Sequence, residues 1–294
     1  MSRIEKILEA AINARKTARG QTRQAEGIPE NIDGPKFQPA AVPLIDPGAV
    51  DKKIVSIREP NSLVAEQYRR LRARIKSASG DPVKSILVTS SVMGEGKTVT
   101  AVNLAVTIAN EIDNTVLLVD TDLRNPMVHN YLGINPQFGL SDYLKGDVNL
   151  PDVLIKTGIG QLVVLPAGNI PENPSELLSS QKMKALASEL KNRYDDRFII
   201  YDSSPLLVTA DSIPLARHMD GVLFVVKASA NLQKSSGRAI ALLKGCRVLG
   251  AVFNNVPEHL AEQAYPYPYG NSYGYGKKDG SGGSDRQGRQ GAEK

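Results

Sequence analysis

The sequence has little of what stabilises small secreted or metal-bound proteins, with one cysteine and three histidines in 294 residues. Cys246 alone cannot form an internal disulfide, and the scattered histidines lack the spacing of a zinc site. No apolar run reaches the roughly 18 residues of a membrane-spanning helix, and the N-terminus has no signal-peptide core. The net charge of +5 is too small to indicate nucleic-acid binding. We therefore expect a soluble, cytoplasmic protein with no nucleic-acid partner.

The chain divides by composition into a core of roughly 200 residues and two appended segments. Residues 2–18 predict a short basic amphipathic helix that packs on its own core or touches a membrane surface or a partner. Residues 19–51 contain five prolines and are typical of a linker, so 1–52 is expected to be a helix and a flexible linker. Residues 258–294 are rich in tyrosine, glycine and charged residues and should be disordered.

Residues 53–257 alternate short apolar runs with helical stretches, which predicts an α/β domain with a doubly wound, mostly parallel sheet. Most of the predicted strands are apolar throughout, as expected where helices cover both faces. They span Ser85–Thr89, Val116–Asp120, Leu162–Leu165, Phe198–Asp202, Gly221–Val226 and Val248–Asn254. Helices are predicted at residues 62–78, 97–112, 175–193, 209–218 and 232–245.

A phosphate-binding loop is predicted between the first strand and the following helix. Its glycines let backbone N–H groups turn toward phosphate oxygens, and the helix N-terminus adds positive potential. Lys97 is placed to reach the β- and γ-phosphates, and Thr98 to hold Mg²⁺. Ser91 stands where the usual G-x-x-x-x-G-K-[ST] pattern has its first glycine. The predicted ATP-binding residues of the loop are Gly94, Glu95, Gly96, Lys97, Thr98 and Val99.

Three aspartates follow predicted strand ends. Asp120 and Asp122 are two residues apart, so an extended chain points both to the same side. Asp202 ends another strand, at the expected place of a Walker B aspartate that binds Mg²⁺. Ligands of parallel sheets bind at the C-terminal edge, where these carboxylates should meet the phosphate loop. Nucleoside triphosphate binding follows, with Asn254 or Asn255 at the last strand as the candidate for contact with adenine.

In combination, these motifs resemble the bacterial tyrosine kinase (BY-kinase) family, the cytoplasmic ATPase domains that act with polysaccharide chain-length determinant proteins. The resemblance covers residues 53–275 and implies a P-loop NTPase fold of the deviant Walker type, so that 53–257 would be the kinase domain. Residues 168–178 also look like a stretch common in the family, whereas Met93 stands where many members have proline. The motifs are the phosphate loop, the Walker A′ motif Asp120-x-Asp122-x-Arg124, the Walker B motif Asp202-x-x-Pro205 and the tyrosine-rich tail.

The resemblance implies an ATP-dependent protein tyrosine autokinase that regulates exopolysaccharide biosynthesis, polymerisation and export. Asp120 would orient the incoming phenol and accept its proton, Asp122 would support the metal or its waters, and Lys97 would stabilise the phosphates. Mg²⁺ would be held by Thr98, Asp120 and Asp202. The expected phosphoacceptors are the tail tyrosines Tyr265, Tyr267, Tyr269, Tyr273 and Tyr275.

The helix before the phosphate loop carries Glu66-x-x-Arg69-x-x-Arg72, which resembles the oligomerisation motif of the family. The predicted apolar stripe of this helix contains Val64, Tyr68, Leu71 and Ile75, and leaves the three motif residues elsewhere on its surface. The implied partners are further copies of the chain in a homo-oligomer such as a ring, a transmembrane chain-length determinant protein that recruits the kinase to the inner face of the cell membrane, and an opposing tyrosine phosphatase.

Two other functions are compatible with a deviant Walker fold. A partitioning-type ATPase would carry a signature lysine five residues before Lys97, where this chain has Val92, and would have no use for a tyrosine cluster. A non-catalytic, nucleotide-gated scaffold for polysaccharide assembly stays open, because a sequence does not show turnover.

Overall fold

A computed structural model of the chain describes residues 45–78, 82–192, 197–228 and 232–257. In this part of the chain seven strands form one sheet, in the order β3-β4-β2-β5-β1-β6-β7. Neighbouring strands are parallel, except that β3 pairs antiparallel with β4. The strands are β1 (Ser85–Ser90), β2 (Thr115–Asp120), β3 (Ile155–Lys156), β4 (Leu162–Leu165), β5 (Arg197–Asp202), β6 (Gly221–Lys227) and β7 (Val248–Asn254).

Helices cover both faces of this sheet, so the prediction of a doubly wound α/β fold is confirmed. On one face, α3 packs its buried alanine, valine and leucine side chains against β1 and β2, together with α2 and α4. On the other face, α5 to α10 contribute to a second apolar core. The helices are α1 (Val55–Arg58), α2 (Leu63–Lys76), α3 (Lys97–Ala109), α4 (Val128–Leu132), α5 (Leu140–Lys145), α6 (Leu150–Val153), α7 (Pro174–Ser179), α8 (Gln181–Asn192), α9 (Ser212–Ala216) and α10 (Leu232–Leu242).

The six predicted strands are all present, and most of them are apolar runs buried in the sheet, whereas the edge strand β7 has no buried residue. β1 is buried along its whole length, and β5 and β6 nearly so. The sequence analysis missed β3 and the short helices α1, α4, α5 and α6. These elements contain two to six residues, too few for a hydrophobic period to be visible.

Two predicted boundaries were wrong. The packed part of the chain begins by Ile45 rather than at residue 53, since Ile45 and Val50 are buried in the core beneath α3 and the Ile45 N–H donates to the Thr157 carbonyl at 3.1 Å. The helix predicted at 175–193 is divided into α7 and α8. Ser180 between them has an extended backbone, and its hydroxyl accepts the Met183 N–H at 3.1 Å.

The apolar stripe predicted for α2 also needs correction. Tyr68 and Ile75 are buried and Leu71 packs at the edge of the core, but Val64 is exposed and Ala65 takes its place. The Ser62 hydroxyl accepts the Ala65 N–H at 3.1 Å and caps the start of the helix, in which Ala65 faces the core.

Most of the predicted linker, the predicted N-terminal helix and the tail with its five tyrosines lie outside the described residues. Among the helices that are described, none is both long and apolar enough to cross a membrane.

Candidate active site

Three neighbouring strands in the middle of the sheet bring the predicted site residues together. β2, β5 and β1 lie side by side, and Asp120 at the end of β2 is in register with Asp202 at the end of β5. Lys97 begins α3, just after the loop that follows β1. Residues from distant parts of the chain therefore meet at the C-terminal edge of the sheet, where parallel α/β folds bind ligands.

The phosphate loop is shaped by Gly96 and held from two sides. Gly96 has φ +93°, and a Cβ atom there would lie 1.8 Å from Nδ2 of Asn254, so only glycine fits. The Asn254 amide donates to the Glu95 carbonyl at 3.0 Å, and the buried Glu95 carboxylate accepts the Val92 N–H at 2.9 Å. Asn254 thus lies against the loop, whereas Asn255 is exposed and has φ +53°.

Lys97 points into the cluster of acids. Its Nζ lies 2.7 Å from Oδ2 of Asp122 and 3.3 Å from the Thr98 hydroxyl, and the side chain is nearly buried. Burial by itself would lower the pKa of Lys97, but the carboxylates of Asp202, Asp122 and Asp120 raise it above its ordinary value. The lysine therefore stays charged and supplies a fixed positive charge at the edge of the sheet.

Asp202 is fully buried, and only one of its two carboxylate oxygens has a hydrogen-bond partner among the described residues. Its Oδ2 accepts the Thr98 hydroxyl at 2.6 Å, but its Oδ1 has no hydrogen-bond partner among the described residues. Burial raises the pKa of Asp202 to about 6, against the lowering effect of Lys97 and Thr98. A buried carboxylate oxygen without a partner is costly, so the arrangement fits an atom that this oxygen would bind, such as a cation or its water.

Asp120 is also fully buried, but its two oxygens are both engaged by the backbone. Oδ2 accepts the N–H groups of Met127 and Val128 at 3.2 and 3.1 Å, and Oδ1 accepts that of Asp122 at 3.2 Å. Burial is the main cause that raises its pKa well above the ordinary value, and the Asp202 charge adds to it. Asp120 is thus an oriented and relatively basic carboxylate with no exposed surface of its own.

The sequence analysis missed two groups that hold the Walker A′ loop. The Ser204 hydroxyl donates to Oδ1 of Asp122 at 3.3 Å, and its position two residues after Asp202 was the only signal for it. Arg124 pairs with the buried carboxylate of Asp211 at 2.8 Å and donates to the Ser175 hydroxyl at 3.0 Å. The Ser175 hydroxyl also bonds Asp211. No local pattern around Asp211 indicated this contact, because its partners lie 36 and 87 residues away.

The comparisons with known proteins agree with this geometry. Residues 83–234 match the AAA domain family. The chain is 38% identical over 208 residues to the tyrosine-protein kinase YwqD of Bacillus subtilis (strain 168), a match that covers 70% of this chain and 86% of the relative. It is 34% identical over 215 residues to the putative tyrosine-protein kinase CapB of Staphylococcus aureus, with 72% and 92% covered.

The solved kinase domain of Escherichia coli tyrosine kinase ETK has the same fold, with a TM-score of 0.66 and 29% identity over 76% of this chain and 84% of that chain. The chain belongs to the bacterial tyrosine kinase family. It is accordingly an enzyme of the tyrosine-protein kinase class, and the expected resemblance and fold type are confirmed.

In this kinase, no group of three or more His, Cys, Asp or Glu side chains within the described ranges is arranged to hold a metal ion. Magnesium in nucleotide sites is commonly bound through one or two carboxylates together with substrate phosphates and waters. The free Oδ1 of Asp202 and the adjoining Thr98 hydroxyl fit that incomplete set of protein ligands.

The three residues of the oligomerisation motif have different surroundings in the single chain. Glu66 and Arg69 form an exposed ion pair of 2.6 Å on α2. Arg72 instead donates to the Thr107 carbonyl of α3 at 2.8 Å and pairs with Glu111 at 3.0 Å. Arg69 also donates to the Pro60 carbonyl at 2.8 Å. All three residues therefore contact their own chain, but the side chains of Glu66 and Arg69 are more exposed than that of Arg72 and accessible to a second copy.

Proposed function

We propose that the chain is an Mg·ATP-dependent tyrosine autokinase that phosphorylates its own C-terminal tyrosine cluster, mainly on a neighbouring copy. The observation that carries this proposal is the cluster of Lys97, Thr98, Asp122 and Asp202 beneath a glycine-shaped loop, with one buried carboxylate oxygen left without a partner. Such a cluster joins a fixed cation for phosphate oxygens to an acidic position for a metal.

The residues of the site would have different roles in phosphoryl transfer. The backbone N–H groups of residues 94–99 and the Lys97 ammonium would bind the phosphates and stabilise the charge of the transition state. Thr98 and Asp202 would hold Mg²⁺, whose chemical contribution is to neutralise the phosphate charge. Asn254, which touches the loop, would lie beside the nucleotide base. Asp122, now paired with Lys97, would support the metal or its waters.

The transfer forms a bond between the phenolic oxygen and the γ-phosphorus and breaks the bond to the leaving ADP oxygen, while the phenolic proton passes to a base. A tyrosine hydroxyl has a pKa near 10, so positioning and charge neutralisation carry most of the catalysis. We assign the base to Asp120, because its raised pKa makes it a better proton acceptor and three backbone N–H groups orient it. Since Asp120 is fully buried, the crevice must open beside it when the phenol enters.

The position of the last strand supports the tail as substrate. β7 is parallel to β6, so it ends at the same edge as Lys97 and Asp202, and the tail begins four residues later, at residue 258. A flexible chain of ten to twenty residues would span roughly 16 to 27 Å, which is enough to reach a site at the edge where β7 ends. The proposed acceptors are the five tyrosines between residues 265 and 275.

The family resemblance supports the cellular part of the proposal. The kinase would assemble through Glu66 and Arg69, act at the inner face of the membrane with a transmembrane chain-length determinant protein, and regulate exopolysaccharide synthesis and export. A tyrosine phosphatase would reverse the modification. A pull-down from membrane extract, with and without ATP, tests for the membrane partner.

Measurement of phosphotyrosine by mass spectrometry in purified protein supplied with Mg·ATP tests the activity. We expect modification of residues 265–275, and its loss when all five tyrosines are replaced by phenylalanine while ATP binding is retained. ATP hydrolysis without phosphotyrosine would favour a partitioning-type ATPase. Nucleotide binding with neither product would favour a nucleotide-gated scaffold. Main sites on Tyr68, Tyr131 or Tyr143 would overturn the tail as acceptor.

A further inference from the structure

The two ends of the sheet differ in how their free edges are protected. β3, at one end, is a two-residue strand that contains Lys156, and both its shortness and its charge discourage another strand from pairing. β7, at the other end, has seven residues, none of them charged and none of them proline. Among the described residues, β7 pairs only with β6. Its second side is therefore a long, uncharged edge, of the kind that another strand is expected to cover.

The free side of β7 presents the backbone of two residues, Ala251 and Phe253. The Asn254 carbonyl accepts the Ala228 N–H at 2.9 Å, so the backbone groups of Asn254 face β6. Since the backbone groups of successive residues point to opposite sides of a strand, those of Ala251 and Phe253 face away from β6. Their side chains share one face of the sheet and are exposed, that of Phe253 by 64%. A strand added here gains backbone hydrogen bonds and an aromatic contact.

The tail contains a short stretch whose pattern fits such an edge. Residues 265–269 read Tyr-Pro-Tyr-Pro-Tyr, and we call them the tyrosine strand. In an extended chain the three tyrosines direct their N–H and C=O groups to one side, and Pro266 and Pro268 face the other side. Proline has no N–H to donate, so it is tolerated on the outer side of an edge strand, where it also prevents the addition of a further strand. One side of the tyrosine strand can therefore pair with β7, and the other side ends the sheet.

We propose that the tyrosine strand pairs with β7 of the same chain in the antiparallel direction, as an eighth strand of the sheet. In antiparallel pairs, the residues that exchange hydrogen bonds are directly opposite and their side chains share one face, so tyrosine rings lie against Phe253 and Ala251. Neither segment has a charged side chain that the pairing would bury. The pairing orders five residues of a tail that composition alone predicts to be disordered.

The connection between the two strands is long enough for this return. Asn255 is the one described non-glycine residue with a positive φ, +53°, so the chain turns immediately after β7. Ten residues, 255–264, separate β7 from the tyrosine strand. An extended chain of that length reaches at most about 33–36 Å, whereas adjacent strands are only about 4.8 Å apart. The chain can therefore reverse and run along its own edge, which makes it the nearest source of a covering strand.

Pairing in this direction removes the tyrosines from the site of their own chain. An antiparallel strand beside β7 runs away from the C-terminal edge, where Lys97 and Asp202 lie. The consequence for activity rests on the proposed function, although the pairing itself does not: the tyrosine strand must leave β7 before a phenol enters a site. Each phosphate transferred adds about −1.5 to −2 charges, and phosphotyrosines two residues apart on one face repel each other, so the modified strand does not return.

Hydrogen–deuterium exchange of the full-length chain, read by mass spectrometry, tests the pairing without requiring catalysis. Prolines have no amide hydrogen, so the exchange measured for the tyrosine strand comes from the three tyrosine N–H groups that the pairing protects. Tyr267→Pro removes the central donor, and Phe253→Lys removes the aromatic contact and adds a charge to the edge. The matched controls are Ala264→Pro, whose ring faces outward like that of Pro266, and Ile112→Lys, which changes an apolar residue that is 90% exposed in the turn before β2.

In the nucleotide-free chain, the tyrosine strand should exchange at least about tenfold more slowly than it does in Tyr267→Pro and Phe253→Lys, and residues 251–253 should lose protection in Tyr267→Pro. The two controls should exchange as the unmodified chain does. Because both strands belong to one chain, the protection should be the same at a protein concentration low enough for size exclusion to show a monomer. After incubation with Mg·ATP, the phosphorylated fraction should lose the protection.

Equal exchange of the tyrosine strand in the unmodified chain and in Tyr267→Pro would overturn the pairing, and so would equal effects of Tyr267→Pro and Ala264→Pro. Protection that disappears on dilution to the monomer would assign the edge to a second copy, which also overturns the pairing within one chain. If phosphotyrosine forms but these exchange results fail, only this inference is wrong. If the exchange results hold but no phosphotyrosine forms, the pairing is confirmed and the proposed function fails.

Discussion

Asp202 and Asp220 lie at opposite edges of the same sheet and have opposite electrostatic situations. At the C-terminal edge, Asp202 is buried with one unpartnered oxygen and a pKa raised to about 6. At the other edge, Asp220 accepts the N–H groups of Lys84 and Ser85 and the Ser85 hydroxyl at 2.9 to 3.0 Å, and it pairs with Lys191. Burial works to raise the pKa of Asp220, but these donors lower it below the ordinary value.

The difference distinguishes an acid that stabilises the fold from an acid whose free oxygen fits a ligand. Asp220 has donors for both oxygens, so its charge is favoured in the folded protein. Ionisation of Asp202 lowers the free energy of unfolding, and a ligand that brings positive charge would offset that loss. Perturbed, incompletely satisfied acids of this kind concentrate at functional sites.

The largest expected effect is the loss of catalytic activity when Lys97 at the C-terminal edge is replaced. Lys97→Met should lower both ATP hydrolysis and tyrosine phosphorylation at least about 100-fold, because the fixed charge on the phosphates is lost. Lys191→Met, the matched change at the other edge, should leave both rates within about twofold. Steady-state rates of ADP and phosphotyrosine formation check this, and comparable losses in the two variants would remove the distinction between the edges.

Asp120→Asn should separate binding from transfer. The amide keeps the size of the side chain but cannot accept the phenolic proton, so we expect transfer to fall about 100-fold. Nucleotide affinity should stay within about threefold. Single-turnover phosphorylation and titration with a fluorescent ATP analogue measure the two quantities. Transfer at the unmodified rate would show that Asp120 is not the base.

The two acids should respond in opposite directions when neutralised. At about pH 8, Asp202→Asn should raise the free energy of unfolding by about 1–3 kcal/mol, because the raised pKa of Asp202 makes its ionisation destabilising. Asp220→Asn should lower it by about 1–3 kcal/mol, because the half-buried side chain loses its charge, its pairing with Lys191 and one of its two acceptor oxygens. Urea unfolding measures both.

The pH dependence follows from the direction of each shift. The folded pKa of Asp202 is above the unfolded value, so its destabilising effect sets in as the pH rises from about 4 to about 6, and the gain from Asp202→Asn should disappear below about pH 4. The folded pKa of Asp220 is below the unfolded value, so its stabilisation is present above about pH 4 and is lost as the pH falls further. Effects of the same sign at pH 8 would contradict the comparison.

The smallest expected effect lies on α2 and divides the oligomerisation motif. Arg72→Ala should lower the free energy of unfolding by about 1 kcal/mol, because a partly buried arginine loses Thr107 and Glu111. Arg69→Ala should change stability by less than about 0.5 kcal/mol, because its bonds to Glu66 and to the Pro60 carbonyl are exposed, but it should reduce the assembled mass in light scattering. An unchanged mass would show that Glu66 and Arg69 belong to an ordinary solvated surface with no role in assembly.

The sequence by itself determined the architecture and the chemical class of the site. Apolar strands such as Gly221–Lys227 predicted burial between two helical layers, and the glycines before Lys97 predicted a tight turn of the kind that binds phosphate. These inferences use neighbouring residues alone. They succeed because strand burial and loop conformation depend on local pattern and on the steric properties of single residues.

Only the tertiary structure decided which polar groups have partners. The free oxygen of Asp202, the contact of Arg124 with Asp211 and the internal bonds of Arg72 all depend on residues 35 to 104 positions apart. The rotation of α2 that exposes Val64 and buries Ala65 likewise follows from packing. Hydrogen bonding and burial are set by which distant segments meet in space, and no local pattern carries that information.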